Sequence, residues 1–484
     1  MADLVRIAAQ WRERYRHWSS VRHQPLDGSS GDRMTGAGSQ ATALVESLVS
    51  DAWTVGGSWP ATDSIARLAA LLESGDDNLF GRTPSRLDGE GPRGSLTAAM
   101  GASLAGLRTV VFLSGPDLTA SIDLLREAAR RRLPLVVQLT ERAGGGRSSL
   151  EGTSHDSIHL AADSGALLFH AVDVQEVADL SLLARRVAEL ALLPVVVAMD
   201  GAETASSVQD FRLPSPDAIR KYLGDPNDVI DTPAASQERL FGARRARIPR
   251  WHDAERPLLV APGQGEEIPA LAAASRHLMS DRDAGEALVA ASAELSEITG
   301  RDVSPLRLHG TRGAKELLIA QGAAVELLEA TSDKLATDGD KAPGIVGVRV
   351  LRPFPAAELV ETLAGCRVAG VLERSDAPAW ADPPLLRSIR SVIAGASEPG
   401  VGGERKTATS GLAPKEIPRL ISVLLGAGGS PLRANDVAAL SRQLSELAES
   451  PIYLGMSFSP ASGSYPKQAA EWGAVSRAYP GLAS

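Results

Sequence analysis

Short runs of β-branched and apolar residues alternate along this chain with longer segments whose apolar residues recur at helical spacing. In the first half, strands are predicted at 109–113, 135–139, 167–170 and 194–199, and helices at 119–131 and 174–192. Parallel strands require this order, because the chain must cross over the sheet between one strand and the next. The pattern therefore predicts an α/β fold, a parallel sheet flanked by helices.

The alternation starts again near Glu316, with a helix from Ala323 and strands at 345–351 and 368–372. A less regular, proline-containing region lies between the two alternations, from about Ala205 to Gly300. We therefore predict four parts: a first domain over 1–205, a linker region with helices over 206–300, a second α/β domain over 301–425, and a C-terminal tail over 426–484.

Composition excludes several classes of protein. Acidic residues outnumber basic ones by 59 to 50, which argues against a general nucleic-acid binder. Cys366 is the only cysteine, so this chain alone can form no internal disulfide, iron–sulfur cluster or cysteine zinc site. No apolar run reaches the roughly 18 residues of a membrane span, and the first residues lack a signal-peptide core. We expect a cytoplasmic protein that binds no membrane.

Familiar catalytic and metal-binding motifs are missing from the sequence. It contains no Walker A segment, no strand-linked G-x-G-x-x-G and no G-x-S-x-G elbow. His155 and His159 are four residues apart and would share one face of a helix, but the sequence offers no third ligand beside them. We therefore expect structural histidines, and no metal site in this chain.

Three separated polar residues are candidates for a functional site. Thr62, Glu90 and Arg142 each lie where a strand or loop meets a predicted helix, which is where open α/β sheets hold ligands. Composition alone is equally consistent with three ordinary solvated side chains. The spacing of the three residues does not decide between a functional site and such side chains.

Several segments around these residues resemble pyruvate:ferredoxin oxidoreductase and the related 2-oxoacid:ferredoxin oxidoreductases. Residues 59–64, Trp-Pro-Ala-Thr-Asp-Ser, resemble the family's Tyr-Pro-Ile-Thr-Pro-Ser motif. Glu90-Gly91 with the small residues of 98–106, the strand 136–142 that ends in arginine, and Ser154-His155-Asp156 resemble further motifs in the same order. Residues 298–302, 316–322, 348–354 and 371–374 resemble the family's second domain. The resemblance covers roughly residues 30–425.

This resemblance implies a thiamine-diphosphate-binding fold over 1–205 and a transketolase-C-like domain over 301–425. It implies that Glu90 bonds the pyrimidine ring of thiamine diphosphate, where a carboxyl group is needed to exchange a proton with the ring nitrogen. It further implies that Arg142 binds the carboxylate of the substrate. Thr62 would lie beside the cofactor and donate a hydrogen bond to the keto oxygen of the substrate. The reaction implied is oxidative decarboxylation of pyruvate, or the reverse carboxylation, with CoA and ferredoxin.

Other features depart from the family. Trp59 and Asp63 replace a tyrosine and a proline, and Pro92-Arg93 replace small residues, so the identity of the 2-oxoacid stays open. There is no Gly-Asp-Gly segment with a downstream asparagine and no cluster of cysteines. We therefore expect one subunit of a split enzyme, whose partner supplies the diphosphate and Mg²⁺ site and the 4Fe–4S clusters and contacts the tail over 426–484.

Two alternatives remain. One is a subunit of a 2-oxoglutarate or aryl-pyruvate oxidoreductase that passes electrons to a flavin or NAD(P) partner. The other is a non-catalytic assembly subunit. The joint presence of Thr62, Glu90 and Arg142 favours an enzyme, because a scaffold would be free to lose at least one of them.

Overall fold

A computed structural model of the chain describes residues 31, 33–57, 76–142, 153–251, 267–375, 382–397, 417–426, 431–447 and 451–454, and four isolated positions near the C-terminus. The strands are β1 Arg33–Ala37, β2 Ala52–Val55, β3 Ser85–Arg86, β4 Thr109–Ser114, β5 Val136–Glu141, β6 Leu167–His170, β7 Val195–Asp200, β8 Val208–Arg212, β9 Val229–Asp231, β10 Arg244–Ala246, β11 Leu306–His309, β12 Glu316–Ala320, β13 Gly344–Val348, β14 Val350–Arg352, β15 Val368–Glu373, β16 Arg419–Leu425 and β17 Ile452–Leu454.

Helices cover both sheets. They are α1 Gly38–Val49, α2 Gly91–Leu104, α3 Gly115–Thr119, α4 Ile122–Arg130, α5 Asp156–Leu160, α6 Val174–Ala191, α7 Pro216–Leu223, α8 Ala235–Phe241, α9 Glu267–Thr299, α10 Ala324–Thr337, α11 Ala356–Leu363, α12 Pro384–Ser397 and α13 Ala434–Gln443. None of the helices in this described part of the chain combines the length and the hydropathy needed to cross a membrane.

The first sheet has seven strands in the order β14-β6-β7-β5-β4-β2-β3. All neighbouring pairs are parallel except β14 with β6. Successive residues of the central strand β7 face opposite sides: Val195 and Val197 pack with α1 and α6, while Val196 packs in the core that α2 and α4 cover. Burial on both faces explains why β4 and β7 are nearly continuous apolar runs, whereas β5 also contains the buried polar residues Gln138 and Thr140. The predicted parallel α/β fold is confirmed.

The second sheet has the order β11-β13-β12-β15-β16-β17, with β12, β13, β15, β16 and β17 parallel. Its apolar residues Leu306, Leu317 and Val346 belong to the same core cluster as Val137 and Val196 of the first sheet. The two sheets therefore share a core and do not form separate hydrophobic units. The segment Ile452–Leu454 of the predicted tail adds the last strand of this sheet.

The single strand predicted over 345–351 is wrong. The chain forms β13 in the second sheet, passes Arg349, and then forms β14 against β6 of the first sheet. Arg349 lies where the chain passes from one sheet to the other, and two contacts hold it there. Its guanidinium bonds Glu176 at 2.9 Å, and its carbonyl accepts from the His170 N–H at 2.7 Å. A buried apolar run does not reveal that its two halves pair in different sheets.

Two predicted helical regions also differ. The helix predicted at 119–131 is interrupted at Ala120 and Ser121, where the Ser121 hydroxyl donates to the Asp117 carbonyl at 2.7 Å and α4 begins only at Ile122. The region from 205 to 300, which looked irregular, contains the 33-residue helix α9. In its described second half, apolar residues recur every three or four positions and pack in the α6 core: Ala284, Leu288, Ala291 and Leu295.

An acidic row at the start of α6 is bound by arginines from the 301–349 segment. Arg307 contacts Asp173 at 2.9 Å, Glu176 at 2.8 Å and, from α10, Glu329 at 2.6 Å. Arg301 makes a two-pronged contact with Asp179 at 2.6 and 2.8 Å. These partly buried ion pairs fix the second domain against the first.

Candidate functional site

The carboxyl ends of the parallel strands of the first sheet lie along one edge. Strands β2, β3, β4, β5, β6 and β7 end there at Val55, Arg86, Ser114, Glu141, His170 and Asp200. Ligands of open α/β sheets bind outside this edge, because the loops that leave it can carry functional side chains. Glu90 follows β3 by four residues and Arg142 follows β5 directly, so the structure brings both predicted residues to the same edge.

Glu90 occupies the position before α2 with an extended backbone, φ −78° and ψ 102°. Its side chain is exposed and makes no capping bond to the helix. Within the described part of the chain we find no hydrogen-bond partner for its carboxylate. Gly91, with φ +64°, leaves the neighbouring space open. This carboxylate is therefore available to a ligand or partner.

Arg142 is half-buried and immediately follows the fully buried Glu141. The strands that lead to Glu90 and Arg142 are separated by β2 and β4. Thr62 lies outside the described residues, in the stretch 58–75 that follows β2. The roles of Thr62, Glu90 and Arg142 thus remain predictions.

Glu141 is a buried acid that sequence reasoning missed. The Ser157 hydroxyl bonds its Oε2, and the Ile158 N–H donates to its Oε1 at 2.9 Å. Burial raises the pKa of the Glu141 carboxyl to about 8, because the loss of water outweighs the hydrogen bonds from Ser157 and Ile158. Glu141 therefore holds a proton at neutral pH and ties the end of β5 to α5. Its place at the end of a predicted buried strand was the signal in the sequence.

A second buried acid, Asp200, gathers two histidines. His155 Nε2 lies 2.9 Å and His170 Nε2 3.1 Å from its Oδ1, and the two rings meet edge to face with centroids 4.7 Å apart. Burial opposes ionisation of Asp200, but both histidines overcome it and hold the pKa of this carboxyl well below its usual range. For His155 the effect of burial has the opposite sign: it lowers the pKa of the imidazole, because a buried site disfavours the charged form. The partners of His155 are thus His170 and Asp200, which are remote in sequence.

The loop that follows β12 of the second sheet packs against this cluster. The Ala323 N–H, which follows β12, donates to Asp200 Oδ2 at 2.9 Å. Gly322, with φ +65°, approaches so closely that a Cβ there would lie 2.8 and 2.9 Å from the two carboxylate oxygens. At the end of β15, Arg374 pairs with Glu203 at 2.7 Å. The carboxyl edges of the two sheets therefore meet at this cluster.

Comparison with known proteins identifies relatives of both parts of the chain. Residues 59–260 match the family described as pyruvate flavodoxin/ferredoxin oxidoreductase, thiamine diphosphate-binding, and residues 314–409 match pyruvate:ferredoxin oxidoreductase core domain II. Together the two matches cover more than half of the chain.

Individual proteins of known name are also similar to this chain. A probable pyruvate-flavodoxin oxidoreductase of Escherichia coli is 23% identical over 421 residues, which is 84% of this chain and 32% of that protein. The pyruvate synthase subunit PorA of Pyrococcus horikoshii is 27% identical over 290 residues, 59% of this chain and 67% of that subunit. The chain thus spans about a third of the length of the Escherichia coli protein.

A solved structure supports the fold. The 2-oxoglutarate:ferredoxin oxidoreductase of Magnetococcus marinus superposes with a TM-score of 0.61 at 17% identity, covering 88% of this chain and 66% of that one. At this identity the likeness establishes the architecture alone.

Proposed function

Because the chain belongs to the pyruvate:ferredoxin oxidoreductase family, we propose that it is the pyrimidine-binding subunit of a thiamine-diphosphate-dependent 2-oxoacid:acceptor oxidoreductase. The observation that carries this proposal is the placement of Glu90 and Arg142 at one carboxyl edge, with the Glu90 carboxylate exposed and free of a capping role. The reaction proposed is oxidative decarboxylation of pyruvate, or its reverse, with CoA and ferredoxin.

The residues present fit thiamine diphosphate. A carboxyl group in open space can bond the pyrimidine nitrogen and exchange a proton with it, whereas a carboxylate held in a helix cap could not. When bound, the cofactor supplies the electron sink for loss of carbon dioxide. The part of Glu90 is to hold the proton at the ring nitrogen.

Arg142 has the role of binding the substrate carboxylate. Its guanidinium presents two parallel N–H groups that match a carboxylate, and its half-buried position beside Glu141 restricts its orientation. Thr62 is assigned the hydrogen bond to the oxygen of the substrate's keto group. Its segment starts from β2, whose strand lies between those that lead to Glu90 and Arg142.

A partner subunit completes the proposed enzyme. The sequence has one cysteine, Cys366, which is buried and cannot hold a 4Fe–4S cluster, so we assign the clusters to the partner. The exposed Glu90 fits a site shared with that partner, which also supplies the diphosphate and Mg²⁺ site. Ferredoxin is the proposed electron acceptor.

The test uses the tagged chain purified from its host with whatever accompanies it. Reduction of a viologen dye is measured with thiamine diphosphate, CoA and, in separate arms, pyruvate, 2-oxoglutarate and an aryl pyruvate. Glu90→Gln is expected to lower turnover at least 100-fold, because the amide cannot exchange the proton. Glu127→Gln, on the helix surface of the same domain, is the matched control and should keep full turnover.

The outcomes distinguish between substrates, test the role of Glu90 and separate an enzyme from a scaffold. The arm that turns over identifies the 2-oxoacid. Turnover that is indifferent to Glu90→Gln contradicts the assigned role of Glu90. A chain that, together with its co-purifying partners, neither turns over any of these 2-oxoacids nor binds thiamine diphosphate supports a non-catalytic assembly subunit.

A further inference from the structure

The cluster of His155, His170 and Asp200 has the composition and closeness of a metal site. One ligand atom from each residue lies within 4.8 Å of the other two, and all three side chains are at least 98% buried. Imidazole nitrogen and carboxylate oxygen are the ligands that Zn²⁺ takes in proteins. We propose that these three residues bind one zinc-type transition-metal ion, which the expectation drawn from the sequence had excluded.

The distances suit such an ion. Zinc bonds to nitrogen and oxygen are about 2.0–2.2 Å long, so neighbouring ligand atoms in a tetrahedral site lie roughly 3.3 Å apart. Asp200 Oδ1 lies 2.9 Å from His155 Nε2 and 3.1 Å from His170 Nε2. These two separations are a few tenths of an ångström below the tetrahedral spacing, and all three ligand atoms lie within 4.8 Å of one another, so side-chain adjustment alone can bring them around one ion.

The side chain of Gln321 supplies an independent observation. It is completely buried, its Nε2 lies 3.3 Å from His170 Nδ1, and its Oε1 makes no hydrogen bond of good geometry within the described residues, although the side chain also faces the buried His159. Exchanging the two ends of this amide brings Oε1 to His170 Nδ1, which then donates its proton to the oxygen. That bond leaves His170 Nε2 without a proton, the form in which it binds a metal.

The position of the cluster indicates what the ion does. His170 and Asp200 end two neighbouring strands of the first sheet, and Gly322-Ala323 of the second domain press on Asp200. An ion here joins the ends of β6 and β7 to the loop that carries His155, directly beneath the second domain. Three strands, β5, β4 and β2, separate β7 from the strand β3 that leads to Glu90. The proposal does not depend on the proposed function.

The test is metal binding by the full-length chain after treatment with a chelator. Zn²⁺ alone and Co²⁺ alone are added, bound metal is counted by mass spectrometry, and the visible spectrum of the Co²⁺ form is recorded. We expect one ion per chain. His170→Gln should weaken binding at least tenfold, because its amide can still donate to Asp200 but is a poor ligand.

His309→Gln is the matched control. His309 also bonds an aspartate, Asp333 at 2.7 Å, but this pair is partly exposed and, among the described residues, no third ligand joins it, so the variant should bind one ion as the wild type does. Absence of stoichiometric metal in the wild type overturns the proposal and leaves a hydrogen-bonded cluster. Equal binding by His170→Gln identifies an adventitious ion. Should that variant not fold, X-ray absorption of the wild-type metal form decides, since fewer than two imidazole ligands contradicts the assignment.

Discussion

Glu141 and Asp200 lie opposite each other at the carboxyl ends of the neighbouring parallel strands β5 and β7, and both are completely buried. Burial raises the pKa of Glu141 to about 8. The same burial acts on Asp200, but His155 and His170 outweigh it and bring the pKa of this carboxyl far below normal. One side of the sheet edge thus holds a neutral acid and the other an anion, because only Asp200 has histidines beside it.

Glu141 makes the stability of the protein depend on pH. Its pKa rises from 4.5 in the unfolded chain to about 8 in the folded one, so the folded state binds the extra proton. The stability contributed by the protonated acid is complete below pH 4.5 and is lost as pH rises through 8. Relative to Glu141→Gln, the wild type should lose up to about 1.4 kcal/mol per pH unit in this window.

Urea unfolding at pH 5.5, 7 and 8.5 measures this difference. Glu127→Gln on the surface serves as control and should show no comparable trend, since Glu127 is already paired with Arg131 in solvent. A difference between wild type and Glu141→Gln that stays constant with pH would show that Glu141 is ionised throughout.

Gly322→Ala should destabilise the contact between the two domains. The new Cβ would meet the Asp200 carboxylate at 2.8 and 2.9 Å, and the backbone has φ +65°. Gly339→Ala is the matched control, because Gly339 has φ +78° but nothing within 4 Å of the added Cβ. The control should cost about 1–2 kcal/mol, from the left-handed backbone alone, and Gly322→Ala about 1–3 kcal/mol more. Equal melting temperatures of the two variants would contradict the close approach.

Arg142→Lys tests the proposed substrate contact. Lysine keeps the charge but loses the paired N–H geometry, so KM for the 2-oxoacid should rise about tenfold, with kcat changed much less. Steady-state kinetics of the complex measure both constants, and Arg131→Lys, in the surface pair with Glu127, should leave them unchanged. A fall in kcat at constant KM would instead place Arg142 in the chemical step.

Arg307→Gln should loosen the second domain. Its loss removes the cation shared by Asp173, Glu176 and Glu329, of which Glu176 keeps a second partner, Arg349. Partly buried carboxylates are costly when they lose their cation, so we expect about 2–4 kcal/mol. Arg442→Gln removes a pair with Asp340 in which both side chains are exposed, and should change stability by less than about 0.5 kcal/mol. The midpoints of urea unfolding compare the two variants, and similar midpoints would mean that water screens the Arg307 cluster.

The parallel fold and the edge position of Glu90 and Arg142 could be predicted from the sequence. Strands buried on both faces, such as β4 and β7, are largely apolar, and a polar residue that follows a buried parallel strand, as Arg142 follows β5, lies at the carboxyl edge. Glu90 follows the short exposed strand β3, so its place was indicated only by its position just before a helix. These patterns are local, so they can be recognised without knowledge of the rest of the chain. The division of the strand at Arg349 was missed for the same reason, because an apolar run carries no mark of the sheet in which each half pairs.

The sequence by itself determined the alternation of the central strands and helices, the lack of a cysteine cluster among these residues and the candidate residues Thr62, Glu90 and Arg142. Only the tertiary structure decided that β7 lies between β5 and β6, and that order places Asp200 beside Glu141 and within reach of His155 and His170. Strand order depends on long-range packing that no short segment encodes. A buried site assembled from residues 155, 170, 200 and 321 therefore leaves no motif to find.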